Sequence, residues 1–328
     1  MRAKPMRFKE IIGQQRPVRL IQRAIANDHL PHAYLFVGPE GVGKRLTAIT
    51  LAKALNCEEG SDDCCDRCLS CKKIDDWNHP DVSGICPDGQ FIRIESIREF
   101  QRSLNYRPFE GKERVCIFDG ADRMKAEGAN ALLKTLEEPP RDTLLVLLAT
   151  ERNLLLPTIV SRCQPVTFSP LPTEQMVEEL TRRLPIEKRE ARTVAALSQG
   201  SLGRALEMVS QEIWEKRPEI IHGLIELSSE NVQRAFAMAE SLADLGETLA
   251  LVFPIMISWY RDLIVWNENR QVDRLINQDF CEAIREGAAR MSRWSTVRRI
   301  EAINETSKAL SQNANRLLAM ENLMLQLR

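Results

Sequence analysis

Residues 33 to 44 constrain this chain more than any other stretch. Ala33-Tyr34-Leu35-Phe36-Val37 runs into Gly38-Pro39-Glu40-Gly41-Val42-Gly43-Lys44. The short apolar run predicts a buried strand, and Leu46, Ile49, Leu51, Ala52 and Leu55 repeat at helical spacing after it. A glycine-rich loop between a buried strand and a helix is the setting of a P-loop. Glycines let backbone N–H groups turn inward around phosphate oxygens, the helix N-terminus adds its dipole, and the lysine ammonium reaches the outer phosphates. Gly38, Gly41, Gly43 and Lys44 are therefore candidate nucleotide-binding residues.

The rest of the first half agrees with that start. Val115 to Phe118 predicts a second buried strand, ending at Asp119. Ala129, Leu132, Leu133 and Leu136 form one face of a helix stopped by Pro139-Pro140. Leu144 to Ala149 is a third strand, too apolar to have a wet face, and Val166 to Phe168 a fourth. Strands buried on both faces and alternating with helices predict a parallel α/β P-loop sheet. Pro170 and Pro172 mark a boundary, and from Thr173 only helical periodicity is visible. The expected organisation is a P-loop domain over residues 1–169, a small helical domain over 170–210 and an all-α domain over 211–328.

Two positions argue against hydrolysis at this loop. The residue after the P-loop lysine holds Mg²⁺ through a hydroxyl, and here it is Arg45. Thr47 lies two residues further on, roughly 200° around the helix, and cannot substitute. Asp119 is in position to assist a metal, but Gly120 follows it where a glutamate would polarise the attacking water. Two losses in one site predict a fold that kept its loop and lost turnover.

Five of nine cysteines fall between Cys57 and Cys71. Cys57, Cys65, Cys68 and Cys71, with two Cys-x-x-Cys steps, can close a tetrahedron of thiolates about a structural Zn²⁺. Cys64 is left over and is an alternative first ligand. The balance of 45 basic and 46 acidic residues excludes a protein that coats polyanions, so any DNA contact must be local. Nine basic against three acidic residues in the first 50 form one such excess. The longest apolar stretch, Leu249 to Tyr260, contains Pro254 and runs into Arg261-Asp262. It is shorter than the roughly 20 residues of a spanning helix. With no apolar run at the N-terminus, the expectation is a cytoplasmic chain without membrane contact.

Thr150, at the end of the third strand, is placed to sense a γ-phosphate. Arg162 closes a short helical turn, and composition alone reads it as a surface arginine. The stretches His32-Ala33-Tyr34-Leu35-Phe36, the P-loop, Leu132-Leu133-Lys134-Thr135-Leu136-Glu137-Glu138-Pro139-Pro140 and Ser161-Arg162-Cys163 together resemble the AAA+ clamp-loader ATPases of bacterial replication. The resemblance implies an AAA+ domain, a helical lid and a C-terminal collar. It also implies that Arg162 acts in trans on ATP held by an adjacent subunit. It favours Cys57 over Cys64 as a zinc ligand, makes His79 of His79-Pro80-Asp81 a turn residue, and gives Ile11-Ile12-Gly13-Gln14 an adenine-side role.

Three departures separate the chain from the family's motor (gamma/tau) pattern: Lys44-Arg45, Asp119-Gly120, and Gly203 with Arg204 displaced by one in Gly200-Ser201-Leu202-Gly203-Arg204. Trp259-Tyr260-Arg261-Asp262-Leu263 and Asn313-Ala314-Asn315-Arg316-Leu317-Leu318-Ala319-Met320-Glu321 look like collar motifs of the non-motor branch. The implied role is a stator of the DNA polymerase III holoenzyme with no ATPase of its own and weak or absent ATP binding. The implied partners are gamma/tau and delta subunits, with the sliding clamp and primed DNA reached through the complex. The alternative is a gamma/tau-like motor with an atypical loop, which ATP turnover by the purified chain would separate.

Overall fold

A computed structural model describes residues 7–60, 63–104, 107–227 and 232–328. The chain divides into two compact units, Met1–Pro172 and Thr173–Arg328. The first contains α1 (Gln15–Ala26), β1 (Ala33–Val37), α2 (Lys44–Asn56), α3 (Leu69–Asp75), β2 (Val82–Ile85), α4 (Ile94–Ser103), β3 (Arg114–Asp119), α5 (Ala126–Glu137), β4 (Thr143–Ala149), α6 (Pro157–Val160) and β5 (Gln164–Thr167). All strand pairings are parallel, in the order β2-β3-β4-β1-β5. This is the parallel α/β P-loop sheet that the sequence pattern predicts.

Alternation along each central strand fills two cores. Tyr34, Phe36, Val115, Ile117, Val146 and Leu148 pack with α1 and α2 on one face. Leu35, Cys116, Phe118, Leu145 and Leu147 pack with α4, α5 and α6 on the other. Burial of each such Leu or Phe side chain contributes about 1.5–3 kcal/mol. Cys116 and Cys163 belong to this apolar packing, and burial pushes both thiols up to about 12. Register brings Val37 beside Ala149 and Asp119 beside Leu148. Gly38, Asp119 and Thr150 therefore share the carboxyl edge of the sheet, where open α/β sheets hold their ligands.

Two edge strands differ from the sequence reading. β2 is absent from it, because Val82-Ser83-Gly84-Ile85 offers only two apolar residues, and only those two are buried. β5 starts at Gln164, two residues earlier than expected, and includes Pro165, which an edge strand tolerates.

The second unit is all helical: α7 (Thr173–Arg183), α8 (Lys188–Leu197), α9 (Leu202–Ser210), α10 (Ile213–Glu226), α11 (Val232–Ala243), α12 (Phe253–Asn269), α13 (Cys281–Arg290), α14 (Arg293–Ser311) and α15 (Arg316–Leu327). Its core gathers Ile213, Ile221, Met256, Trp259, Tyr260, Ile284, Ile303 and Met324. Pro254 does not break the apolar stretch as the sequence suggested. It sits in the first turn of α12, where no N–H is needed. Residues Gly246–Asn269 are in consequence long and apolar enough, by length and composition, to cross a membrane, and most of their apolar part is buried inside the protein. α12 also carries Asp262, which is fully buried and accepts from the backbone N–H groups of Ile276 and Asn277 at 3.0 and 2.7 Å. Asn277 Nδ2 donates to the same carboxylate at 2.9 Å, and Arg261 donates at 2.6 Å. Arg217, buried on α10, donates to Asn277 and to both oxygens of Asp279. The Trp-Tyr-Arg-Asp motif thus anchors the irregular segment before α13 to the central helix.

Candidate functional site

Three glycines shape the loop for different reasons. Gly41 and Gly43 take φ of 73° and 106°, a left-handed backbone that a side chain would strain. Gly38 lies against the end of β5, where an added Cβ would come within 2.3 Å of the Phe168 carbonyl oxygen. Lys44 opens α2 and is nearly buried, its ammonium donating to the carbonyls of Gly38 and Pro39, the latter at 2.8 Å. Thr47 is buried and donates back to the Gly43 carbonyl at 2.9 Å, so its hydroxyl faces its own helix.

Arg45 points instead toward β3. Its Nη1 lies 3.3 Å from Asp119 Oδ2, and its guanidinium carbon lies 5.4 Å from the centroid of the Trp77 ring. Gly120 has φ of 77°, with Pro87 beside it. A glutamate there would be strained as well as new. The cavity at this edge holds about 200 Å³ and is lined by Glu40, Lys44, Asp119, Asp122 and Thr150, among others. Ligand pockets usually hold roughly 300–1,000 Å³. Thr150 donates its hydroxyl, and its backbone N–H at 2.9 Å, to Asp122. Arg123 reaches Glu40 at 3.2 Å. Gln14 is buried, and its amide nitrogen donates to the carbonyls of Val42 and Ser169 at 3.1 and 2.7 Å. It ties the loop to the end of the sheet and has little left for a base.

Arg162 follows α6 and keeps about a third of its side chain exposed. Its Nη2 lies 2.7 Å from Glu137 Oε1, and its Nη1 donates to the Thr158 carbonyl at 3.0 Å. Glu137 is the last residue of α5. The Leu-Glu-Glu-Pro-Pro and Ser-Arg-Cys segments therefore meet in space, with the carboxylate holding the guanidinium at the surface.

The cysteine cluster forms as the spacing predicts. The Sγ atoms of Cys57, Cys65, Cys68 and Cys71 all lie within 4.8 Å of one another. Four sulfurs at about 2.3 Å from a zinc ion would stand about 3.8 Å apart, so the set needs only a small contraction. The N–H of Cys68 donates to Cys65 Sγ at 3.2 Å, and that of Cys71 to Cys68 Sγ at 3.3 Å. Burial pushes the Cys71 thiol well above its ordinary range, so a set of four thiolates requires a bound cation. Cys64 stands outside the set, 3.5 Å from an Asp66 oxygen. Beneath the cluster, the fully buried Lys53 of α2 pairs with Asp66 and with Asp75, the latter at 2.8 Å. His79 is buried, and its Nδ1 accepts from the Asp81 N–H at 3.2 Å, so it belongs to a turn.

Comparison with known proteins agrees with this anatomy. Residues 13–172 match the family described as DNA polymerase III, delta subunit, and residues 211–328 match its C-terminal region. DNA polymerase III subunit delta' of Bacillus subtilis is 33% identical over 324 residues, covering 96% of this chain and 96% of that one. The chain belongs to the DNA polymerase III delta' family. The Pseudomonas aeruginosa delta' subunit is 31% identical, covering 90% of this chain and 91% of its own. The tau subunit of Bacillus subtilis is 26% identical over 94% of this chain, which spans 59% of that protein's length.

Within this delta'-family chain, the residue the sequence reading missed is Asp81. Its carboxylate is buried and accepts from the N–H groups of Phe109, Glu110 and Gly111 at 2.7, 2.8 and 2.7 Å. Burial works against its charge, but these three donors outweigh it and hold the carboxyl below its usual range. Asn56, at the end of α2, fixes the other end of the same loop through the N–H and carbonyl of Glu113, at 3.1 and 2.9 Å. The loop leads directly into β3 and Asp119. The one sequence hint was an acid placed two residues after His79. Arg204 lies in the first turn of α9, its N–H donating to the capping hydroxyl of Ser201 at 3.2 Å.

Proposed function

We propose that this chain is the non-hydrolysing stator of a DNA polymerase III clamp loader, and that Arg162 completes the ATP site of a neighbouring motor subunit. The observation that carries the reading is the ion pair between Arg45 and Asp119. It joins the two positions between which a hydrolysing site would hold Mg²⁺. Gly120 adds nothing that positions water. Arg162, by contrast, stands at the surface with a planar, permanently charged head suited to a phosphoryl group. The gamma/tau-like motor is the weaker reading, because it has to displace Arg45 before it can bind metal.

In this reading residues 1–169 are the AAA+ domain, 170–210 a lid and 211–328 the collar. Cys57, Cys65, Cys68 and Cys71 hold one structural Zn²⁺, with all four positions filled by protein and none left for substrate. The partners are gamma/tau and delta subunits, the sliding clamp and primed DNA are engaged through the assembly, and the site of action is the cytoplasm. The test is ATP turnover by the isolated chain, followed by turnover of an assembly reconstituted with motor and delta subunits, with and without this chain. Background turnover alone and a gain in the assembly support the reading. Robust Mg²⁺-dependent turnover by the isolated chain, lost in Lys44→Ala, favours the motor.

A further inference from the structure

A P-loop site that works with Mg²⁺ places the metal between a hydroxyl just after the lysine and an acid at the end of a neighbouring strand. Here a guanidinium stands in that gap, 3.3 Å from Asp119. Arg45 is also held from its other side. The Trp77 ring lies 5.4 Å from the guanidinium carbon, within range of a cation–π contact. That ring is itself lodged against Gly84 of β2, where a Cβ would come within 2.6 Å of it. Trp77 lies two residues beyond α3, the helix that contributes Cys71, so the cysteine module carries the aromatic face. Mg²⁺ does not fit this donor set. The hydroxyl ligand is missing, Asp119 already has a cation, and the Arg45 guanidinium would repel a second one.

We infer that Arg45 is the resident cation of this site, and that the loop takes a metal-free nucleoside diphosphate, with Mg²⁺ as competitor rather than helper. A terminal phosphate at the loop would accept from its N–H groups, from Lys44 turned away from the Gly38 and Pro39 carbonyls, and from the guanidinium fork of Arg45. Mg²⁺ opposes this by taking up the diphosphate oxygens in solution. A third phosphate would extend toward Asp119 and Asp122 in a cavity of about 200 Å³, with no divalent ion to screen the carboxylates. The Thr150 hydroxyl that would receive it already donates to Asp122. The charges present thus favour two phosphates over three.

This inference rests on reading Gly38 to Lys44 as a nucleotide site without hydrolysis, and the test separates the two. The full chain is dialysed to equilibrium against ADP and against ATP, in EDTA and in millimolar Mg²⁺, as wild type, Arg45→Thr and Asp119→Asn. Wild type is expected to bind ADP at least as tightly in EDTA as in Mg²⁺, and more tightly than ATP. Arg45→Thr should lose about tenfold or more in EDTA, the worth of one charge-assisted hydrogen bond, and regain part of it with Mg²⁺. Asp119→Asn, which frees Arg45, should bind ADP no more weakly than wild type, whereas a metal-using site would be weakened. Far-UV circular dichroism checks the fold, and if Arg45→Thr is misfolded, Asp119→Asn decides alone. Binding that requires Mg²⁺, no ADP binding in either buffer, an Arg45→Thr protein unchanged in EDTA, or weakened binding in Asp119→Asn each overturns the inference. ATP hydrolysis by the chain alone would instead remove the reading beneath it.

Discussion

Asp81→Ala removes one buried carboxylate and leaves three N–H groups, those of Phe109, Glu110 and Gly111, without an acceptor. An unsatisfied buried donor costs about 1–3 kcal/mol, and this loop is partly open to water, so the lower end applies. The sum is about 3–4 kcal/mol, carried by the segment that delivers β3 and Asp119 to the site. The measurement is hydrogen exchange of amides 109 to 111 under native conditions. Their protection should fall more than a hundredfold, since each 1.4 kcal/mol is a factor of ten. Asp81→Asn should fall between. An oxygen at the Oδ2 position keeps Glu110 and Gly111, but the new NH₂ faces the N–H of Phe109. The pH dependence has a definite sign. The folded-state pKa of Asp81 lies below that of the unfolded chain, so its contribution is complete above about pH 4 and is lost as pH falls through the lower folded value. A change under threefold in Asp81→Ala, or exchange in wild type that ignores this acid range, would refute the loop anchor.

Three further outcomes are expected. Metal analysis of reduced protein should find one zinc per chain, and Cys71→Ser should lose both the metal and the protease resistance of residues 57–75, because binding energy at such sites is folding energy. Restoring Thr at 45 and Glu at 120 should raise ATP turnover little, since the glutamate must adopt the left-handed backbone of Gly120; turnover approaching a motor subunit's would contradict that. Asp262→Ala should destabilise the helical unit by about 3–5 kcal/mol in urea titration, as it strands two backbone donors and takes one acceptor from the Asn277 amide and from Arg261, and a loss under 1 kcal/mol would refute the anchoring role.

The central strands were legible because Ala33–Val37, Arg114–Asp119 and Thr143–Ala149 are buried on both faces, and only uninterrupted apolar residues satisfy that. Of the edge strands, β2 was not read and β5 was read from its apolar half alone, since each has one sheet neighbour and tolerates Ser83, Gly84 and Pro165. The four-cysteine set could be read from spacing because Cys-x-x-Cys fixes local geometry. Arg45 was legible as a loss but not as a contact, because its partners Asp119 and Trp77 are brought to it by a sheet and a second helix. The pairing of Arg162 with Glu137 was equally hidden, for the two residues meet only once α5 and α6 are packed. Asp81 drew no reading of its own, because its three donors lie about 30 residues away in sequence.

The central claim concerns what Arg162 does for another chain. The direct measurement is DNA- and clamp-stimulated ATP turnover of the reconstituted assembly carrying Arg162→Ala, with assembly checked by sedimentation. Arg162 makes a surface ion pair and two local hydrogen bonds among the described residues, so the variant should fold and assemble normally. The neighbouring site should nevertheless lose its turnover, because an arginine supplied in trans is worth about 10³–10⁵ at a single site. The loss for the whole assembly should be smaller, since the remaining motor sites keep their own arginines. Arg162→Lys should rescue poorly, because an ammonium lacks the planar fork. Wild-type turnover from a fully assembled Arg162→Ala complex would contradict the account and leave the chain a structural part only.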